Sequence, residues 1–198
     1  MNKKIKNILL KKNKSKIVSL TAYSKNIAKI LDKYVDIVLV GDSMANVLYG
    51  HKNTHQISLD SIIQHTKSVK KGIKKSLLVV DMPKGSYSNV KSAEKNAKHI
   101  IKVTKCEAIK IESNKKNYKI IEQLAKKNIP VMGHIGFTPQ FKKKFSIQGQ
   151  TKSQANNLLK EAKFIEKAGA FSIVLECLSP ESAKLITNNL KIPTIGIG

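Results

Sequence analysis

Short β-branched runs alternate along the chain with stretches whose apolar residues recur every three or four positions, the two periods of strands and amphipathic helices. Ile17 to Ala22 reads as a first strand, and Ile27, Ala28, Ile30 and Leu31 mark the helix after it. Asp36 to Val40 is a second strand. Ser58 then caps a helix in which Leu59, Ile62, Ile63, Thr66 and Val69 share a face, with Gly72 at its C′ position. Leu77 to Val80 leads through a turn with Pro83 and Gly85 into a helix around Ala93, Ala97, Ile100 and Ile101. Ala108 to Ile111 precedes a helix from Tyr118 to Lys127, and Pro130 to Met132 precedes one from Leu158 to Ala168, closed by Gly169. Phe171 to Leu175 is a sixth strand. Its helix opens with Ser179 as N-cap, Pro180 at N1 and Glu181 in the first turn, and TIGIG begins a seventh strand after Pro193.

Strict β-then-α alternation calls for a parallel sheet with right-handed crossovers, either an open doubly wound sheet or a closed (β/α)8 barrel. No strand is followed by a GxGxxG turn, which leaves a dinucleotide site without support. The barrel is favoured by polar residues at the ends of many successive strands, because an open sheet gathers its ligand at one switch point. Residues 1–198 are expected to form one domain, an α/β TIM barrel that ends at Gly198 with nothing left for an eighth strand or later helices. Open hydrogen-bonding edges on the first and seventh strands, and a slot in the wall, would follow. Two connections are long, Met44 to Ile57 and Phe137 to Lys152, and the second is a candidate lid.

The polar strand ends carry the chemistry. Asp42, Asp81, Glu112 and Glu176 close the runs IVLVGDS, LLVVDMP, AIKIES and SIVLEC, and His134 closes PVMGHIG. A carboxylate at the end of a buried strand is costly to desolvate, so four in register point to one shared polar focus. Asp42 and Asp81 form a hard-oxygen half-shell suited to Mg2+, with Glu112 as a further ligand, directly or through water. Such an ion, chelated by a 2-oxo acid, would stabilise an enolate, and Glu176 would be the base that takes the proton. Lys110 shares a strand face with Glu112 and would hold a substrate carboxylate or the acidic cluster; His134 would donate to the same oxygens. Taken singly, each has an ordinary explanation: Asp42 as a turn residue, Lys110 as a salt-bridged strand residue, His134 as a backbone-bonded histidine. His51 and His55 lack an intervening carboxylate and read as solvated or loop-packing residues. The Lys142 to Lys144 run reads as a soluble loop tip, and Tyr23 as core.

Charge changes the picture less than its size suggests. The chain has 198 residues, 37 basic against 13 acidic, for a formal net charge of +24. All the basic residues are Lys, so the planar guanidinium fork that reads phosphates and guanine edges is missing. The charge reads as a solvated coat that steers small anions, with no nucleic-acid partner. No apolar stretch approaches a membrane span, and the N-terminus lacks a signal-peptide core. Cys106 and Cys177 have no metal-knuckle or redox spacing, which fits a reduced cytoplasmic setting.

The segments SLTAY, IVLVGDS, VVDMPKGSY, AIKIES, IPVMGHIGFTPQ, AGAFSIVLE and IPTIGIG resemble, in this order, the ketopantoate hydroxymethyltransferase family. The resemblance runs from about Ile17 to the last residue. It implies a barrel of the phosphoenolpyruvate/pyruvate type, assembled as a homo-oligomer, commonly a decamer. The implied reaction transfers a hydroxymethyl group from 5,10-methylenetetrahydrofolate to 3-methyl-2-oxobutanoate, giving 2-dehydropantoate on the way to pantothenate and coenzyme A. The resemblance gives Asp42, Asp81 and Glu112 to Mg2+ and Asp42, Ser43, Asp81, Lys110 and His134 to the substrate, with Glu176 as the proton acceptor. Departures are Ser24 for the usual Asp, Lys84 for an apolar residue, Ser113-Asn114 for a Gly pair, and a shortened loop after Gln140. The alternatives are a truncated, non-catalytic form of that enzyme, another Mg-dependent 2-oxo acid lyase or aldolase on the same barrel, or a nucleic-acid binder driven by charge.

Overall fold

The computed structural model describes residues 2–114, 117–142 and 144–198. Its strands are β1 (Ser19–Thr21), β2 (Ile37–Val40), β3 (Leu77–Asp81), β4 (Ala108–Glu112), β5 (Val131–Gly136), β6 (Ser172–Glu176) and β7 (Thr194–Ile197). They form one parallel sheet in sequential order, with β1 and β7 at its ends. Helices fill the crossovers: α2 (Lys25–Leu31), α3 (Met44–Val47), α4 (Leu59–Lys70), α5 (Val90–Thr104), α6 (Tyr118–Lys126), α7 (Lys152–Lys167) and α8 (Pro180–Asn189). A helix α1 (Lys3–Leu10) precedes β1. The sheet is a nearly closed barrel, and a cavity of about 700 Å³ lies along its open side, between the Lys11–Ile17 segment and β7. Among the described residues no helix is long and apolar enough to cross a membrane.

Period-two alternation along the strands separates two apolar layers. Leu78, Val80, Ile109, Ile111, Ile135, Ile173 and Leu175 pack outward against the helices. Ile37, Leu77, Val79, Ala108, Met132, Val174 and Ile195 fill the barrel interior. These inward residues cluster toward the strand starts, and the interior turns polar toward the strand ends. α1 closes the starting mouth by inserting Ile5 and Ile8, both buried, into that interior cluster. It is fastened there by Lys4 Nζ on the Ser76 carbonyl (2.7 Å) and by Lys12 Nζ on the Thr187 carbonyl (2.5 Å). The sequence reading assigned no helix here. The signal was Asn2, whose Oδ1 accepts the Lys4 N–H, followed by Ile5, Ile8 and Leu9 at helical spacing.

Other boundaries moved for local reasons. α7 begins at Lys152, ahead of the anticipated Leu158, because Thr151 and Gln154 form a reciprocal capping box. β5 continues through His134 to Gly136, well past Met132. The long Met44–Ile57 connection contains α3 and a 3-10 turn, Thr54–Gln56. Gly72 follows the α4 cap as expected, but its φ is not positive; a Cβ there would lie 2.8 Å from the Lys29 nitrogen, so it is Gly because α2 packs too closely. Both cysteines are free and buried.

Asp32, at the end of α2, is only 8% exposed and accepts hydrogen bonds from the N–H groups of Lys74, Lys75 and Ser76 at 2.8–3.1 Å. Burial opposes its charge, but these donors prevail and hold its pKa below the ordinary carboxylate range. A depressed pKa contributes stability that is complete above that range and lost as the pH falls through the depressed value. Asp32→Asn is therefore expected to cost about 2 kcal/mol at neutral pH. In urea melts taken at successively lower pH, the gap to the wild type should close.

Candidate active site

Asp81, Glu112 and Glu176 are the last residues of β3, β4 and β6, and Asp42 lies just past the end of β2. Strand pairing sets them side by side: Asp81 is in register with Lys110, Glu112 with His134, and Gly136 with Glu176. All seven residues singled out in the sequence, Asp42, Ser43, Asp81, Lys110, Glu112, His134 and Glu176, line one pocket of about 690 Å³ at the strand ends. Leu39 and Ile197 supply apolar wall. The loop after β5 contributes Phe137, Pro139, Lys142 and Phe145 to the lining. That loop leaves the strand at Gly136, whose φ is +97°; a Cβ there would collide with the Glu176 carbonyl.

Asp42, Asp81, Lys110, Glu112 and His134 are each at most 4% exposed. Lys110 Nζ lies 2.6 Å from Asp81 Oδ2. Burial alone would lower the Lys110 pKa, but the surrounding Asp81, Glu112 and Asp42 carboxylates carry it above the ordinary lysine range. Burial pushes Asp81 up to about 7 and Glu112 up to about 9, in each case against the pull of Lys110. Burial, and then the Lys110 charge, push His134 down, so its ring is mostly neutral at pH 7. His134 Nε2 is 3.1 Å from Glu176 Oε2 but out of hydrogen-bond alignment, and its Nδ1 is 4.0 Å from Glu112 Oε1. Ser43 Oγ is 2.8 Å from the Tyr23 hydroxyl, so Tyr23, read from sequence as core, also reaches the site's rim.

The donor set fits a hard divalent cation in part. Asp81 Oδ1 and Glu112 Oε1 are buried with no hydrogen-bond partner, and several carboxylates face the single ammonium of Lys110. A bound cation would favour the ionised form of both acids and release the protons that burial now holds on them. Yet among the described residues no three His, Cys, Asp or Glu groups converge as a finished cation cage. Lys110 occupies one Asp81 oxygen, and the Gln140 amide occupies Asp42 Oδ2. The arrangement suits an ion that keeps water and a chelating substrate in much of its shell, which is the habit of Mg2+.

Two participants escaped the sequence reading. Gln140 is completely buried and contacts both Asp42 and Glu112, and Tyr87 bonds to Gln140. Neither belongs to a periodic run; each closes one of the segments that carry the family resemblance, VVDMPKGSY and IPVMGHIGFTPQ, and that was the signal pointing to them. His55, anticipated as solvated or loop-packing, packs at the lip with Nε2 3.0 Å from the Pro139 carbonyl. Of the Lys142 to Lys144 run, Lys143 lies outside the described residues; Lys142 Nζ bonds to the Gly136 carbonyl and Gln148 Oε1.

Comparison with known proteins adds to this geometry. The chain matches the family described as ketopantoate hydroxymethyltransferase over residues 2–198. A protein of Pelagibacter ubique named 3-methyl-2-oxobutanoate hydroxymethyltransferase is 54% identical over 198 residues, which are all of this chain and 77% of that protein. Among solved structures, 2,3-dimethylmalate lyase, of the PEP mutase/isocitrate lyase superfamily, superposes with a TM-score of 0.71 at 14% identity, covering 99% of this chain and 72% of its own. Phosphonopyruvate hydrolase in complex with oxalate and Mg2+ gives 0.68 at 11% identity, with coverages of 98% and 80%. At such identities the structural likeness fixes the barrel fold.

Proposed function

The chain belongs to the ketopantoate hydroxymethyltransferase family, transferases of pantothenate biosynthesis, and from that premise we propose that its strand-end pocket takes 3-methyl-2-oxobutanoate, Mg2+ and 5,10-methylenetetrahydrofolate. The observation that carries the reading is the convergence of carboxylates from β2, β3, β4 and β6 on one pocket that also holds a buried ammonium. Asp42 and Asp81 would hold the ion, with Glu112 completing its shell. When bound, the ion supplies positive charge beside the oxygen on which an enolate's negative charge collects. Support for the ion also comes from the fold neighbour solved with oxalate and Mg2+, since oxalate and a 2-oxo acid both offer two adjacent oxygens to a cation.

The remaining roles fall to the chain's own groups. Lys110 and Ser43 bind the oxo acid's carboxylate end, and Leu39 and Ile197 pack against its isopropyl group. Neutral His134 donates its one N–H to the developing oxyanion. Glu176 takes the proton from C3, and the C–H electron pair passes into the C2–C3 bond and onto the C2 oxygen. C3 then bonds to the one-carbon unit of the folate, both C–N bonds of that unit break, water supplies the hydroxyl oxygen, and the proton from C3 and one from water end on the two folate nitrogens, so the products are 2-dehydropantoate and tetrahydrofolate. The Phe137–Phe145 pair, 5.2 Å between ring centroids, and Lys142 offer the pteridine an aromatic wall and its acidic tail a cation. Residues 1–198 act in this reading as one domain of a cytoplasmic homo-oligomer.

Product formation tests the reading. With Mg2+, oxo acid and 5,10-methylenetetrahydrofolate the purified chain should make 2-dehydropantoate, lose that activity in chelator and regain it on adding Mg2+. Turnover of the oxo acid without the folate would instead mark a lyase or aldolase, and no product at any metal concentration would refute the enzyme.

A further inference from the structure

The Gln140 side chain is completely buried, and its polar atoms are all spoken for by other elements. Its Nε2 donates to Asp42 Oδ2 at 2.9 Å and to the Met82 carbonyl at 3.0 Å. Its Oε1 accepts from the Tyr87 hydroxyl at 2.5 Å, and its backbone N–H donates to Glu112 Oε2 at 2.9 Å. One residue of the loop after β5 thus bonds the carboxylate that follows β2 and the one that ends β4.

We propose that Gln140 is a positioning residue, which Tyr87 orients and which fixes the Asp42 and Glu112 carboxylates in the attitude that receives a divalent cation. The inference rests on the cation reading above. Its physical content lies in the amide's direction. Asp42 Oδ2 and the Met82 carbonyl are both acceptors, so only the NH2 end can face them; the turned amide would set its own oxygen against two oxygens. The Tyr87 hydroxyl, donating to Oε1, makes that choice from the other side. With one oxygen of each acid engaged by Gln140, Glu112 Oε1 is left without a hydrogen-bond partner, as is Asp81 Oδ1 in the same pocket. Partners that hold metal-binding carboxylates in this way govern affinity without touching the ion.

The test is Mn2+ binding to the full chain, read from the electron paramagnetic resonance signal of the free ion. Gln140→Met, which keeps the length and the backbone N–H to Glu112 but loses the side-chain bonds to Asp42, Met82 and Tyr87, should weaken binding about 10- to 100-fold. Tyr87→Phe, which removes only the hydroxyl, should weaken it by a smaller but measurable factor, and it carries the test alone if the first variant does not fold. Asp32→Asn, which lowers stability far from the pocket, should leave affinity unchanged. Wild-type affinity in Tyr87→Phe and Gln140→Met overturns the inference and leaves the cation reading standing. Equal weakening in Asp32→Asn also overturns it, because affinity would then follow stability. A wild-type chain that binds no Mn2+ removes the cation reading and this inference together.

Discussion

Glu176→Gln should slow the exchange of the C3 proton of 3-methyl-2-oxobutanoate into heavy water by about 10²- to 10⁴-fold, the range that a positioned general base supplies. Among the pocket's acids Glu176 differs in access. Its side chain is 18% exposed, against 2% for Asp81 and 1% for Glu112, so of these three lining acids it is the most open to the pocket. It also stands across the pocket from Asp42 and Asp81, with β4 and β5 between, so a proton can be removed from the side away from the ion. Glutamine keeps the shape and the contact with His134 but cannot accept the proton. The melting temperature should therefore change little while exchange is lost. Exchange at the wild-type rate would show that another group is the base.

Lys110→Met should produce the largest loss of stability. Lys110 and Asp81 form an ion pair at 2.6 Å with side chains only 5% and 2% exposed. Removing one partner of a buried pair typically costs about 3–5 kcal/mol, because the other charge is left without compensation. In a chain of this size that corresponds to roughly 10 °C of melting temperature. The loss should be moderated at low pH, where Asp81, already pushed up to about 7, takes a proton and no longer needs the ammonium. The value of about 7 already includes the pull of Lys110, so without the ammonium the carboxyl pKa rises further: below about 7 both folded proteins hold the proton and the deficit is constant, and above it only the variant's does, so the deficit grows as the pH rises. Thermal melts of both proteins between about pH 6 and 9 would read this, and a deficit that does not grow above pH 7 would assign the loss to packing alone.

Much of the barrel was legible because the chain obeys two periods so regularly. Runs such as LLVVD and AIKIE end in acids that the alternation aims inward, and that single pattern anticipated the shared pocket. Caps fixed the starts of α4 and α8, where Ser58 and Ser179 accept from the Ser61 and Ser182 N–H groups as foreseen. What escaped depends on contacts between distant segments. Ile5, Ile8 and the Asn2 cap mark a short helix amid a charged terminus, but what that helix buries exists only once the barrel interior has formed. Gln140 and Tyr87 lie far apart in the chain, and only the folded loop makes them a pair. The acids tell the same story: with few carboxylates available, Asp32, Asp36, Glu107 and Glu166 are each committed to structural hydrogen bonds. Position at the strand ends, rather than composition, separated the pocket's four from them.

The most direct measurement is the anomalous scattering of Mn2+ in crystals of this chain soaked with the ion and 3-methyl-2-oxobutanoate. The account predicts one strong peak within coordinating distance of the Asp42 and Asp81 carboxylates, with the oxo acid chelated to it and its C3 facing Glu176. A peak away from both aspartates, or an oxo acid bound there with Glu176 turned from C3, would contradict it.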